Sequence, residues 1–185
     1  MKKLNVVLYH PEIPQNTGNI MRSTVGFNAK LHLIKPLGFK LDEKALKRSA
    51  VDYYQYIDYE LYEDFDDFLS KNDGEFYFFT RYGNKEPKDI KIINDKNIYL
   101  FFGAESTGIA YDILKRYYDK LYRIPTTDKI RSLNLSNTVA IALYQVSSLL
   151  NDDEIYKLEP DTLKGADFIK NIDVNDLDYK HREWR

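Results

Sequence analysis

Three segments of the chain concentrate the residue types that do chemistry: HPEIPQNTGNIMR (10–22), GAESTG (103–108) and IPTTDKIRSLNLSNTVAI (124–141). In the first, Arg22 offers a guanidinium fork that suits a phosphate, although a cation a few residues into a helix also serves as ordinary solvated surface. In the second, Gly103 and Gly108 bracket Glu105, but the spacing is neither the G-x-G-x-x-G of a dinucleotide loop nor a Walker A loop. In the third, Ser132, Asn134, Ser136 and Asn137 are good helix caps, because their side chains accept hydrogen bonds from free backbone N–H groups. Other chemistries are excluded by composition. The chain has no cysteine, which rules out thiol nucleophiles, thiolate zinc sites and disulfides together. His10, His32 and His181 lie far apart with no H-x-x-x-H pair, so no metal site is expected.

The elements that must position these segments follow from the apolar pattern. LNVVLY (4–9), KLHLIKP (30–36), a stretch near 56–61, EFYFFTRYG (75–83), NIYLFFG (97–103) and LYRIP (121–125) read as strands. Helices are expected over 16–26, behind Pro11 and Pro14, and over 42–52, 64–71, 112–120 and 132–151. In the last of these, Leu135, Val139, Leu143, Val146 and Leu150 recur at threes and fours, forming one apolar stripe. Nearly all-apolar strands alternating with helices argue for an α/β fold, a mostly parallel sheet with helices on both faces. The three polar segments then emerge at the carboxyl ends of strands, where such sheets place their ligands.

At 185 residues the chain fits one domain and a tail: a domain over 1–151 and an acidic C-terminal tail over 152–185, where apolar density falls and Pro160 and Gly165 interrupt any helix. The tail carries ten acids and six bases, so the chain's net charge of −2 leaves the first 150 residues at +2. Six acids and no base between Asp58 and Asp67 leave the remaining surface more basic still. No apolar run approaches the roughly 20 residues of a membrane span, and the start is too quickly polar for a secretory signal. A cytoplasmic protein without a membrane partner is expected.

Taken together, PEIPQNTGNIMR, FFGAESTGI and RIPTTDKIRSLNLSNTVAI resemble the motifs of the SPOUT superfamily of RNA methyltransferases. Within it they are most similar to the single-domain tRNA (cytidine/uridine-34) 2′-O-methyltransferase branch, over about residues 4–150. Ala104 stands where this group usually has Pro, and Thr126 where Met is frequent. The resemblance implies a C-terminal trefoil knot, a homodimer, S-adenosylmethionine as cofactor and the tRNA anticodon loop as RNA partner. By motif position it implies catalytic roles for Asn16, Arg22, Glu105, Ser132 and Asn134. Cofactor contacts would fall on Phe79, Thr80, Gly103, Ile124, Ser132 and Leu133. A guanidinium has no lone pair to take a proton, so Arg22 would hold a phosphate or a developing alkoxide. Tyr53, Tyr54 and Tyr56, after Lys44, Lys47 and Arg48, could meet unstacked bases or be sheet and dimer residues; Lys129 and Arg131 are better candidates for phosphate contact. Methylation of another tRNA or rRNA ribose, or RNA binding without catalysis on the same fold, are the alternatives.

Overall fold

The computed structural model describes residues 3–41, 51–93, 96–150 and 155–171. The chain divides into two compact units, Met1–Asp152 and Asp153–Arg185. In the second, the described residues form one short helix, Phe168–Asn171. The first is built on six strands: β1 (Leu4–Tyr9), β2 (Lys30–Ile34), β3 (Tyr59–Tyr62), β4 (Glu75–Phe79), β5 (Ile98–Phe102) and β6 (Leu121–Tyr122). They form one sheet in the order β3-β2-β1-β5-β4-β6, with every pairing parallel.

Strand alternation sends side chains to two cores. Val6 and Leu8 join one face with Leu31, Leu33, Leu100 and Phe102, while Val7 joins the other with Ile34, Phe78 and Phe101. Helices α1 (Pro14–Gly26) and α4 (Leu135–Ser147) pack on each other and cover the first face through Ile20, Met21, Val139, Leu143 and Val146. Helices α2 (Phe65–Lys71) and α3 (Tyr111–Arg116) cover the second with Phe65, Phe68, Ile113 and Leu114. Both sheet faces are thus buried, which is why β5 is apolar at every position. β1 and β5 are neighbours, and from them the strand order runs outward in opposite directions, so the loops leaving their carboxyl ends open at a topological switch point.

Several expected boundaries move, each for a local reason. α1 starts at Pro14 rather than 16, because a proline in the first turn gives up only an N–H that has no helical partner. β4 stops at Phe79, short of 83: the Thr80 N–H makes the last bond of the β4–β6 ladder, to the Tyr122 carbonyl at 2.9 Å, and the chain then turns, with Gly83 against the Tyr122 and Arg123 backbone too closely for any Cβ. β6 shrinks from 121–125 to two residues, and at its end the Arg123 N–H meets the Lys85 carbonyl at 2.8 Å in an isolated parallel bridge. α4 begins at Leu135, not 132, since Asn134 caps it, and it ends at Ser147. The third strand occupies Tyr59–Tyr62, and Val51–Tyr56 forms a 3-10 turn; the rest of the helix expected over 42–52, with Lys44, Lys47 and Arg48, lies outside the described residues.

Candidate functional site

The loop after β1 and the loop after β5 are bound to each other twice. The Glu105 carboxylate accepts from the backbone N–H of Glu12 at 2.8 Å and of Ile13 at 3.3 Å, and from the Asn16 Nδ2 at 2.8 Å. In the opposite direction, the Glu12 carboxylate accepts from the Ser106 N–H at 2.8 Å and the Ser106 Oγ at 2.5 Å. The Ser106 hydroxyl, and after it the Ser106 N–H, lower the pKa of Glu12 and keep it ionised. α1 has no side-chain cap of its own, its cap position being Ile13, and no acid in its first turn. Glu105 supplies the missing negative charge at that helix terminus from 93 residues away.

The third segment joins through Asn134. Its Nδ2 donates to the Asn16 Oδ1 at 2.9 Å, while its Oδ1 accepts from the Ser136 N–H at 2.9 Å and Oγ at 2.7 Å, and from the Asn137 N–H at 3.4 Å. The result is one polarised line of hydrogen bonds. It starts at the N-terminal N–H groups of α4, passes through the Asn134 and Asn16 amides, and ends on the Glu105 carboxylate. Asn16 is buried, as are Thr17 and Gly18 beside it, so the line runs through the seam where α1 meets α4.

The loop carrying Glu105 is a tight one. Ala104 and Gly108 exchange backbone hydrogen bonds at 3.2 and 2.9 Å, and Gly108 has φ +74°, a conformation that favours glycine. A Cβ on Gly103 would lie 2.2 Å from the Gly108 carbonyl carbon, so position 103 tolerates no side chain without moving the loop.

The remaining expected residues gather nearby or stand apart. Phe79, at the carboxyl end of β4, is buried and stacks on Phe102 with ring centroids 4.8 Å apart. Thr80 follows it, tied to Tyr122, and Ile124 packs partly buried against the same core. Ser132 is exposed and Leu133 half-buried in the turn that enters α4. Arg22 does not belong to the bonded line: it lies about 9 Å further along α1 from Asn16, on another face. Its guanidinium sits over the exposed Tyr53 ring, 4.9 Å from the centroid. Tyr56 is exposed too. Glu12, Ser106 and Ser136 are the contributors that sequence reasoning did not single out for this site. Ser106 adjoins Glu105, while Glu12 and Ser136 lie four and two residues from Asn16 and Asn134, so their signal was position within the same three segments. Among the described residues no group of His, Cys, Asp or Glu could hold a metal ion, and no helix is long and apolar enough to cross a membrane.

Three loops at one end of a parallel sheet, cross-bonded around Asn16, Glu105 and Asn134, can hold a cofactor through backbone groups and present Arg22 to an anion. Comparison with known proteins agrees with that layout. A Burkholderia ambifaria tRNA (cytidine(34)-2′-O)-methyltransferase is 37% identical over 145 residues, covering 76% of this chain and 92% of the relative. A solved structure concerned with 2-OH methylation of C/U34 on tRNA superposes with TM-score 0.71 at 36% identity, over 78% of this chain and 97% of that one. An rRNA methyltransferase from Sinorhizobium meliloti with bound AdoMet shares the fold at TM-score 0.71, with 22% identity, over 81% of this chain and 57% of that one. The SpoU rRNA Methylase family model matches residues 3–144, and the chain belongs to that family.

Proposed function

We propose that the protein is a tRNA methyltransferase that transfers a methyl group from S-adenosylmethionine to the ribose 2′-hydroxyl of nucleotide 34, a cytidine or uridine in the anticodon loop. The observation that carries this reading is the likeness, spread over 92% of its length, to a relative that bears that activity in its name. The residues present fit the cofactor. Phe79 brings apolar surface to the loop after β4, and Ile124 and Leu133 to the loop after β6, while Thr80, Gly103 after β5 and Ser132 bring backbone and hydroxyl groups beside it. S-adenosylmethionine supplies an electrophilic methyl group on a sulfonium.

The chain's own residues then divide the work. Asn16, Glu105 and Asn134 hold the three loops in register, so that the 2′-hydroxyl meets its reaction partner in line. Positioning of this kind is worth roughly 7–11 kcal/mol in well-oriented systems. Ser132, exposed beside the third loop, orients the ribose or the cofactor. Arg22 holds a neighbouring phosphate and the negative charge that grows on the ribose oxygen. The same reading carries a trefoil knot through these loops, a cytoplasmic location and a homodimer. Ile141 and Tyr144, exposed three residues apart on α4, support the dimer. The test is transfer of radiolabelled methyl to unmodified bulk tRNA and to rRNA, with digestion to nucleosides. Label in 2′-O-methylcytidine or 2′-O-methyluridine from tRNA alone is expected; label in rRNA would overturn the substrate, and no cofactor binding would overturn the activity.

A further inference from the structure

Beside the loop that follows β4, a shallow groove of about 250 Å³ is lined by Tyr82, Tyr111, Leu114, Lys115, Tyr118 and Leu121. Its floor is apolar, since Leu114 and Leu121 are buried. Its walls are three tyrosines that the fold leaves open: Tyr111 is 71% exposed, Tyr118 61% and Tyr82 51%. Scattered exposed aromatics are ordinary, but three converging on one groove mark a contact surface. The Tyr82 and Tyr111 hydroxyls are 3.2 Å apart and their rings meet at 62° with centroids 6.0 Å apart, so the pair is held edge to face.

The charge around the groove says what fits it. Segments 81–85 and 111–121 hold five cations (Arg81, Lys85, Lys115, Arg116 and Lys120) against Asp112 and Asp119; with Lys120 paired to Glu75 at 2.8 Å, a net of +2 remains in a chain whose total is −2. The Arg81 guanidinium lies 5.2 Å from the Tyr82 ring centroid, so a cation stands behind one of the groove's aromatic walls. Aromatic faces beside cations are how proteins hold unpaired nucleotides, each base stacking on a ring while the backbone meets the charges. The groove adjoins the candidate site along the chain: Arg81 and Tyr82 directly follow Thr80, and Gly83 packs on the backbone of Tyr122 and Arg123, just before Ile124.

We propose that this groove holds unpaired nucleotides of the RNA substrate, stacking bases on Tyr82, Tyr111 and Tyr118 while Arg81 and Lys115 meet the phosphates. The proposal rests on the RNA methyltransferase reading above and extends the RNA contact from the reacting ribose to its neighbours. It is tested with full-length protein, a labelled anticodon stem-loop RNA and a blunt RNA duplex of equal length. Tyr82→Ala and Tyr111→Ala should each weaken stem-loop binding about tenfold. Duplex binding, cofactor binding and melting temperature should stay at wild-type values, and Tyr82→Phe and Tyr111→Phe should restore stem-loop binding. Arg81→Ala should lower the salt dependence of stem-loop binding by about one ion. Alanine variants that bind the stem-loop like wild type would overturn the groove. Equal loss on both RNAs would overturn it too, as would RNA loss that tracks a change in sedimentation. A wild-type protein that binds the stem-loop through these tyrosines yet methylates no tRNA would instead sink the methyltransferase reading and leave the groove standing.

Discussion

The line of hydrogen bonds through Asn134, Asn16 and Glu105 can run in one direction only, because backbone N–H groups fix it at both ends. The N–H groups of Ser136 and Asn137 are fixed donors, so Asn134 must turn its oxygen toward them and its Nδ2 toward Asn16. Asn16 must then present its own Nδ2 to position 105, where the fixed N–H of Glu12 also points. Only an acceptor on both sides satisfies that geometry, and an ionised carboxylate is one. Glu105→Gln keeps the shape but places an NH₂ against either Asn16 or Glu12, and no amide flip repairs it. Leaving a partly buried donor unmatched costs about 1–3 kcal/mol. Urea unfolding should therefore show a lower midpoint for Glu105→Gln, together with weaker turnover; an unchanged midpoint would contradict the polarity argument. Arg22 stands outside this line and should behave differently. Arg22→Ala should cut turnover by about 100-fold or more, on the scale of losing one transition-state donor. Its cofactor affinity and unfolding midpoint, measured by calorimetry and urea titration, should stay near wild type. Loss of cofactor affinity in Arg22→Ala on the scale of its loss of turnover would show that the division of roles is wrong.

At the scale of elements, the loop between β5 and α3 is the part with least freedom. Gly103→Val forces the 104–108 turn away from β5, because even a Cβ collides with the Gly108 and Ile109 backbone. Cofactor binding should fall before turnover at saturating cofactor does, which equilibrium binding and saturation kinetics separate. The sheet itself was legible in the sequence. β1, β4 and β5 are apolar runs because helices cover both faces, and the buried Val139, Leu143 and Val146 stand on the expected stripe of α4. Element ends were less legible, since they depend on partners distant in the chain. Nothing within TRYG says that the chain will turn back after Thr80 to set Gly83 against Tyr122, or within PQNTG that Pro14 will open α1 under a carboxylate from position 105. The site residues were legible as segments rather than as contacts. That Asn16, Glu105 and Asn134 form one line, that Glu12 and Ser106 return the bond, and that Arg22 rests on Tyr53 are facts of tertiary placement.

For the molecule as a whole, the acidic stretch around β3 and α2 is partly neutralised where it stands. Glu60 pairs with Lys30 at 2.8 Å, Glu63 with Lys35 at 2.6 Å and Asp67 with Lys71 at 2.6 Å. The excess of cations lies beyond the opposite edge of the sheet, around β6 and the tyrosine groove, which orients a polyanion toward that side. Stability as a whole is tied to pH through His32. It is buried in β2 between the Tyr62 hydroxyl at 2.8 Å and the Asn5 Oδ1 at 3.1 Å, and burial, with Lys30 adding to it, lowers its pKa from 6.5 to about 4. The unfolded chain therefore takes up that proton first. Stability is complete above about pH 6.5 and declines as the pH drops toward about 4, by about 3 kcal/mol from this group. Thermal melts from pH 7 to 4.5 should show this slope, and His32→Asn should flatten it. A variant that kept the full slope would assign it elsewhere.

The proposed reaction occurs at one oxygen of one nucleotide. The most direct measurement compares methyl transfer to two tRNAs that are identical except that one lacks the 2′-hydroxyl on nucleotide 34. We expect label on the intact tRNA and none on the 2′-deoxy tRNA, with both competing equally for the enzyme. Equal labelling of the two would place the reaction at another atom and contradict the account.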